Sequence, residues 1–206
     1  MKHLKTLKLV AILFVFAFTF TSCNSDEDED KKKEFDGSIE SVRDFFGDDI
    51  VDALDDLGFI LNTGDNPPTI SGSYLASPFI LQASTVPGDY IGQTFSDYII
   101  DFHNQDKGDL TIDFTSQNGG QSSDGSGSFV SGNGERFSVY LKANVSYQGQ
   151  TAKFAYAISG TMKDNGIKDF QFANLMLDDN GDPADIWIGN NTGRLLEDTD
   201  GFSPKQ

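Results

Sequence analysis

Apolar residues change their spacing once along the chain, from a helical period to a strand period. Between residues 38 and 60 they recur every three or four positions, at Ile39, Val42, Phe46, Ile50, Leu54 and Leu57. This spacing places them on one face of a helix. Gly47 interrupts the stripe, so the pattern predicts two short helices, at about 38–46 and 48–57, in an N-terminal helical segment.

Beyond Ile70 apolar and polar residues alternate, which indicates strands with one buried face and one solvated face. The alternation is clearest from Phe137 to Tyr147. Eight strands are predicted, near 70–83, 94–104, 109–116, 124–131, 136–148, 150–163, 167–178 and 185–197. The segment near 124–131 is rich in glycine and serine, which pack little apolar area, so it could instead be mostly loop.

Tight-turn sequences between consecutive strands, such as Gln148-Gly149 and Asn165-Gly166, predict an antiparallel meander. Eight such strands with one polar face close naturally into a small up-and-down barrel, which leaves no exposed edge. We therefore expect a mainly β barrel domain at residues 70–200, preceded by one or two short helices. A two-sheet β-sandwich is the alternative.

The first 22 residues differ in kind from the rest of the chain. Three lysines precede an apolar run from Leu9 to Phe20, in which Thr19 is the one polar residue. A run of about 12 residues is too short to span a bilayer as a helix and matches the apolar region of a secretory signal peptide. A buried core helix fits less well, because no charged residue interrupts the run and it lies at the extreme N-terminus. Residues 1–22 are therefore predicted to be a signal peptide.

Phe20-Thr21-Ser22-Cys23 ends this segment and contains the one cysteine of the chain. These residues resemble the lipobox of bacterial lipoproteins, with Phe20 where the family usually has leucine. The resemblance implies that Cys23 is lipidated and becomes the first mature residue, with the two or more acyl chains that stable anchoring needs. The alternative is a free structural thiol, with signal cleavage nearby. With a single cysteine, no disulfide can form within the chain.

An acidic segment follows, Asn24–Gly37, which lacks aliphatic residues and carries blocks of like charge. Such a composition indicates a solvated, flexible segment, so residues 23–37 are predicted to be a lipidated tether. Within it, Ser25-Asp26-Glu27-Asp28 resembles the signal that sends Bacteroidota lipoproteins to the outer face of the outer membrane. The resemblance implies a protein anchored in outer-membrane lipid and exposed at the cell surface.

The charge of the chain narrows its choice of partners. The net charge is −17, with 15 basic and 32 acidic residues. Removing residues 1–22 takes away three lysines and no acidic residue, so the mature chain carries −20. Phosphate contacts need basic patches, so nucleic acid is excluded as an expected partner.

The predicted strands carry a second resemblance, in Gly72-Ser73-Tyr74 on the first strand and in Arg194, which follows Trp187 on the last. They are similar to the lipocalin and avidin-like barrels, in which a Gly-x-Trp on the first strand packs against a late basic residue. Tyr74 takes the place of the tryptophan, and the helices precede the barrel. The layout as a whole looks like Bacteroidota lipoproteins with lipocalin-like domains.

Few residues offer catalytic chemistry, so we expect a protein that is not an enzyme. His103 is the only imidazole left after residue 22, and its place at a strand end favours an exposed structural residue. The stretches Asp178–Asp185 and Glu197–Gly201 concentrate oxygen ligands, but the spacing of their acids and glycines does not fit a calcium loop. Turn formation explains both. No catalytic residue, metal site or cofactor is predicted.

Two aromatic residues stand where a core would not need them. Tyr140 has the parity of a polar face, and Trp187 shares a face with Asp185. Flat aromatic side chains beside polar groups could stack on sugars or line the mouth of a cavity, so both are candidate ligand-binding residues. The function expected first is a surface protein that binds a small apolar molecule or a glycan, since a barrel of this size is either filled by its own side chains or holds one small ligand. The alternative is an interaction or structural module that docks another envelope protein.

Overall fold

The computed structural model describes residues 34–206, without the side chains of residues 124–127. The predicted signal peptide, Cys23, the residues Ser25, Asp26, Glu27 and Asp28, and most of the tether lie outside the described residues.

The chain from residue 34 opens with the two predicted short helices, which are confirmed as α1 (Ile39–Phe46) and α2 (Asp48–Asp56). The Ser38 side chain caps α1 by accepting a hydrogen bond from the Ser41 amide at 3.2 Å. Such a cap satisfies a backbone donor that a helix start otherwise leaves unpaired. Gly47 separates the helices with a φ of 96°, a conformation that favours glycine.

The rest of the described chain is mainly β, as predicted. Its twelve strands are β1 (Asp65–Asn66), β2 (Gly72–Ala76), β3 (Phe79–Ser84), β4 (Thr94–Phe95), β5 (Tyr98–Asp106), β6 (Thr111–Asn118), β7 (Gln121–Asn133), β8 (Arg136–Tyr147), β9 (Gln150–Lys163), β10 (Gly166–Asp178), β11 (Gly193–Asp198) and β12 (Phe202–Pro204).

All twelve strands belong to one sheet, and ten of them follow the order β2-β5-β6-β7-β8-β9-β10-β11-β3-β4, with β1 and β12 beside this path. Apart from β1, which pairs in parallel with β7, the pairings are antiparallel. At its N-terminal end β10 pairs instead with β12. Beyond β12, Lys205 forms an isolated bridge with Tyr74 in β2, so the hydrogen-bonded pairing returns to the first strand of the order.

Three strand predictions differ from the structure. The predicted strand 70–83 is divided into β2 and β3, and the strand 94–104 into β4 and β5; with the unpredicted short strands β1 and β12, the sheet has twelve strands rather than eight. By contrast, the predicted strand near 124–131 lies within the thirteen-residue strand β7, so the alternative of a loop is wrong. The last predicted strand, 185–197, begins only at Gly193.

The two faces of the sheet are buried in two separate clusters. Val139 and Leu141 of β8 belong to a cluster on the inner face, together with side chains from β2, β3, β5, β6, β9 and β10. The intervening Tyr140 belongs to the other cluster, which the helices form with the outer face of β8–β11. The prediction of a solvated polar face is therefore wrong where α1 and α2 cover these strands, but Lys142, Asn144 and Ser146 on the same face of β8 are exposed, as predicted.

The start of the described chain is fastened to the sheet through three glycines. The Gly64 amide donates to the Gly37 carbonyl at 2.8 Å, and the Gly132 amide in β7 donates to the Gly64 carbonyl at 3.0 Å. A Cβ atom on Gly64 would lie 2.6 Å from the Gly132 carbonyl oxygen, and the φ of Gly64 is 129°. Only glycine therefore fits this approach of backbone to backbone.

Within residues 34–206, no helix has both the length and the apolar character needed to cross a membrane.

Candidate functional site

A cavity of about 260 Å³ lies on the inner face of the sheet and reaches the surface beside the β6–β7 turn. Its position follows from the strand register. Asn174 of β10 is paired with Tyr156 of β9 on one side and with Arg194 of β11 on the other. Paired residues of neighbouring strands point to the same face, so these three side chains lie side by side. All three line the cavity.

Aromatic rings form the deep wall of the cavity. The rings of Tyr98 and Phe172 have centroids 4.7 Å apart, and Phe79 stacks on Tyr98 at 5.3 Å. Tyr156 meets Phe172 edge to face at 4.8 Å. These are the offset and edge-on geometries that aromatic pairs prefer. The wall is therefore well packed and presents flat apolar surfaces.

An ion pair stands at the side of the cavity. The Arg194 Nε and Nη2 atoms donate to the two carboxylate oxygens of Asp89 at 2.7 and 2.9 Å. Ser84 donates to the same carboxylate at 2.6 Å, and the Arg194 guanidinium lies 5.2 Å from the centroid of the Phe95 ring. The hydrogen bonds from Arg194 are the main reason why the pKa of Asp89 is below its usual value. The pair fixes the loop that carries Asp89 against β11.

Polar atoms without partners are buried at this end of the sheet. Among the described residues, the Tyr98 hydroxyl, the Asn174 Oδ1 atom and the Trp187 Nε1 atom have no hydrogen-bond partner. The Ser116 hydroxyl is close enough to Tyr98 to lower its pKa, and it is also paired with Ser123 at 2.7 Å. Because a buried polar group without a partner costs free energy, such atoms need an explanation. The side chains of Tyr98 and Asn174 line the cavity, although these two atoms are almost closed to solvent.

Burial keeps the cavity hydroxyls neutral. Burial is the main cause that raises the pKa of Tyr98 well above its usual value, and it raises the pKa of Tyr156 as well. Both groups can therefore donate or accept a hydrogen bond at neutral pH.

Trp187 lies in the loop between β10 and β11 and not in a strand. The prediction that it shares a strand face with Asp185 is therefore wrong. The Asp182 carboxylate holds this loop by accepting hydrogen bonds from the amides of Ile186 and Trp187, at 3.0 and 2.8 Å. The half-buried indole packs edge-on against Phe154 at 6.0 Å. It also meets Tyr147 at 6.3 Å, and Tyr147 lines the cavity. Trp187 is thus a neighbour of the cavity and not part of its lining.

Tyr140 is placed elsewhere. It is 0 % exposed beneath the helices, where Phe46 meets its ring edge-on at 5.9 Å. Its hydroxyl is paired with Ser131 at 3.0 Å, and burial raises its pKa to about 12. Since Tyr140 faces the outer cluster, the structure does not bring it together with Trp187, and its ring is closed to a ligand.

The residues of the second resemblance are also separated. Arg194 is bound to Asp89 at the cavity, whereas the Tyr74 hydroxyl donates to the Ile70 carbonyl at 3.0 Å. The late basic residue beside the first strand is Lys205, which forms the bridge to Tyr74. Its side chain lies so close to Gly72 that a Cβ atom there would be 2.5 Å from the Lys205 Cε atom.

The other sequence candidates have structural roles among the described residues. His103 lies half exposed on β5, with its Nδ1 atom 3.3 Å from Asp101. In the acidic loop, Asp178 and Asp179 accept hydrogen bonds from backbone amides two residues further on, at 2.9 and 2.8 Å. These are turn contacts.

The sequence analysis missed Tyr98, Asn174 and Phe172. Asn174 carried a detectable signal, because it is a polar residue between Phe172 and Met176 in the inward-facing positions of β10. A polar side chain in an otherwise apolar stripe marks either a buried hydrogen bond or a ligand contact. Tyr98 carried no such signal, since a tyrosine at the start of a strand is also common in a packed core.

Four other depressions among the described residues are larger, at about 710, 700, 450 and 390 Å³. The first two are lined mainly by polar and charged side chains that include Glu135 and Lys163. These two side chains satisfy each other in an ion pair of 2.6 Å, and neither depression has an aromatic wall like that of the cavity.

Comparisons of this chain with protein-family models, with curated proteins and with solved structures give no match.

Proposed function

We propose that this protein is a lipid-anchored, surface-exposed lipoprotein of the outer membrane whose sheet closes into a barrel that binds one small molecule. The observation that carries the binding role is the 260 Å³ cavity, with its aromatic wall and its buried polar atoms that lack partners. The proposed role is non-enzymatic and needs no cofactor.

The pairing of the strands supports a closed barrel of the lipocalin-like kind. β12 and the Lys205 that follows it bridge β10 and β2 through the contacts at Lys168–Phe202 and Tyr74–Lys205. The Gln206 amide adds a hydrogen bond to the Ser73 carbonyl at 2.8 Å. If β2 and β3 are counted as one strand, β11 and β12 as another, and the two-residue strands β1 and β4 are left out, eight strands remain, the number in barrels that hold one small ligand.

The size of the cavity supports one of the two expected ligand classes over the other. Protein cavities of about 150 Å³ hold benzene, whereas pockets for drug-sized ligands measure about 300–1,000 Å³. A cavity of about 260 Å³ therefore suits a molecule of one or two rings. This favours a compact, largely apolar molecule over an oligosaccharide.

Replacing Leu196 with tryptophan should abolish binding, because Leu196 is buried in the cavity lining and the larger ring would occupy the space. We expect saturable binding of small aromatic probes to the wild type by ligand-observed NMR and none to Leu196→Trp. Ile60→Trp adds the same ring at an exposed position and serves as the control. Equal binding by wild type and Leu196→Trp would remove the cavity as the ligand site.

The anchoring proposal rests on Cys23 and on the serine and three acidic residues of Ser25-Asp26-Glu27-Asp28. In the native cell envelope, Cys23→Ser should move the protein from the membrane fraction to the soluble fraction. The wild type should be cleaved when intact cells are treated with proteinase K. Cleavage only after lysis would place the protein on the inner side of the outer membrane, against surface exposure.

A second candidate function is docking of another envelope protein. The observation that favours it is the loop between β3 and β4, where Tyr90 and Ile91 are 67 % and 63 % exposed. Asp89, held by Arg194, fixes this loop. The variant Leu196→Trp separates the two functions, because it fills the cavity and leaves the loop unchanged. A partner that co-purifies equally with wild type and Leu196→Trp would favour docking.

A further inference from the structure

We propose that the cavity selects a planar, uncharged molecule of one or two rings, which carries a hydrogen-bond donor for Asn174 and an acceptor for Tyr98 or Arg194. The inference rests on the proposed function, since it names the ligand class of the same cavity.

The planar shape follows from the walls. Four aromatic rings in mutual contact form one side of the cavity. Their centroids are 5.3 Å apart for Phe79 and Tyr98, 4.7 Å for Tyr98 and Phe172, and 4.8 Å for Phe172 and Tyr156. A flat ligand can stack on such surfaces over its whole area, whereas a puckered sugar ring contacts them with only one face. The volume of about 260 Å³ limits the ligand to one or two rings.

The absence of net charge on the ligand follows from the ion pair. Arg194 is the only charged side chain in the cavity lining within the described chain, and Asp89 already neutralises it through two hydrogen bonds. An anion would bring a second negative charge close to Asp89, in a chain of net charge −17. A cation would be repelled by the positive charge of Arg194. Buried charges without a dedicated counter-charge are disfavoured, so a neutral ligand fits best.

The polar contacts follow from the atoms that remain free. The Asn174 Oδ1 atom is a buried acceptor without a partner among residues 34–206, and rotation of the amide turns it from its closed position toward an N–H group of a ligand. The Tyr98 hydroxyl is likewise unpaired, lies near Ser116 and is almost closed to solvent, so a ligand reaches it only if the ring shifts. On Arg194, the hydrogen bonds to Asp89 use Nε and Nη2, which leaves Nη1 to donate. A molecule with a carbonyl and an N–H group at one edge, such as an aromatic amide or a cyclic amide, meets both requirements.

Three probes of nearly equal size test this ligand class: benzamide, benzoate and toluene. Dissociation constants are measured by ligand-observed NMR on the full chain. We expect benzamide to bind at least tenfold more tightly than either benzoate or toluene. Tighter binding of benzoate than of benzamide would overturn the neutrality of the ligand. Equal binding of toluene and benzamide would overturn the polar contacts.

Two cavity variants and one control locate the contacts. Asn174→Leu should weaken benzamide at least tenfold and strengthen toluene, because it exchanges an acceptor for an apolar group of similar size. Tyr98→Phe should weaken benzamide about threefold or more. Tyr74→Phe removes a buried hydroxyl outside the cavity and should leave the dissociation constants of benzamide and toluene unchanged. Thermal unfolding of each variant checks that it is folded.

The outcomes separate the inference from the function on which it rests. If toluene binds and Leu196→Trp abolishes its binding, but Asn174→Leu leaves benzamide unchanged, the cavity is a ligand site and only the proposed ligand class is overturned. If the wild type binds none of the three probes, the ligand class and the binding function fail together.

Discussion

Replacing Phe172 with alanine should lower the free energy of unfolding by about 3–5 kcal/mol, the range for removal of a large buried aromatic side chain. Phe172 is 3 % exposed and its ring contacts three others, those of Phe79, Tyr98 and Tyr156. The truncation removes these contacts and enlarges a cavity that already exists. The neighbouring rings cannot close the enlarged space, so the lost contacts are not replaced.

The measurement is equilibrium unfolding in urea, followed by circular dichroism. Tyr90→Ala is the control, because it removes an aromatic ring of similar size that is exposed to solvent. We expect this control to change the stability by less than about 0.5 kcal/mol. A loss below about 1.5 kcal/mol for Phe172→Ala, where Phe→Ala in a packed core costs about 3–5 kcal/mol, would show that the aromatic wall is not a packed part of the core.

Removing the Arg194 guanidinium by Arg194→Met should lower the free energy of unfolding by about 2–4 kcal/mol at pH 7. The reason is the carboxylate that remains: the side chain of Asp89 is 8 % exposed and would keep only the hydrogen bond from Ser84. Breaking a buried ion pair from one side costs about 3–5 kcal/mol, and the partial exposure of Arg194 reduces this value. The double variant Arg194→Met/Asp89→Asn should recover a large part of the loss, because no buried charge is left without a partner.

The pH dependence of this loss has a defined sign. The pKa of Asp89 is lower in the folded protein than its usual value of 3.8. Its ionisation therefore stabilises the fold above about pH 4, and this contribution disappears as the pH falls through the folded-state pKa. The difference in stability between the wild type and Arg194→Met should shrink between pH 5 and pH 3, as measured by urea unfolding at each pH. A difference that stays constant over this range would show that the pair does not shift the titration of Asp89.

The sequence predicts those parts of the fold that depend on local spacing. The two helices and the mainly β character follow from periods of 3.6 and 2, since each period fixes which side chains share a face. The late start of the last strand at Gly193 did not follow, because the loop before it is held by contacts of Asp182 with the amides of Ile186 and Trp187. Side-chain contacts of this kind leave no periodic pattern.

The largest error of the sequence analysis was the prediction that the outer face is solvated. Small residues on that face indicated that helices cover it. Ala155, Ala157 and Ala173 occupy outward positions of β9 and β10, and all three are buried beneath the helices. Alanine on a solvated strand face has little reason to be preferred, whereas under a helix it allows close approach. Tyr140 stands in the same outward set, so its polar parity indicated a helix contact and not a ligand.

The candidate site could be predicted only in part. Asn174 breaks an apolar stripe and is visible in the sequence. Its position beside Tyr156 and Arg194 depends on pairing between strands that are distant in the chain. Register between such strands is set by the whole sheet and not by a local motif.

The three-glycine attachment of Gly37, Gly64 and Gly132 has a mechanical consequence. A pull on the chain upstream of residue 34 acts on the hydrogen bonds that Gly64 makes with Gly37 and Gly132, and on the pairing of β1 with β7 at Asp65–Gly132 and Asn66–Asn133. β1 is two residues long, so these bonds are few, whereas β7 is held to β8 by a long antiparallel ladder. We therefore expect the Gly64 segment to detach from β7 under load before the long strands of the sheet separate.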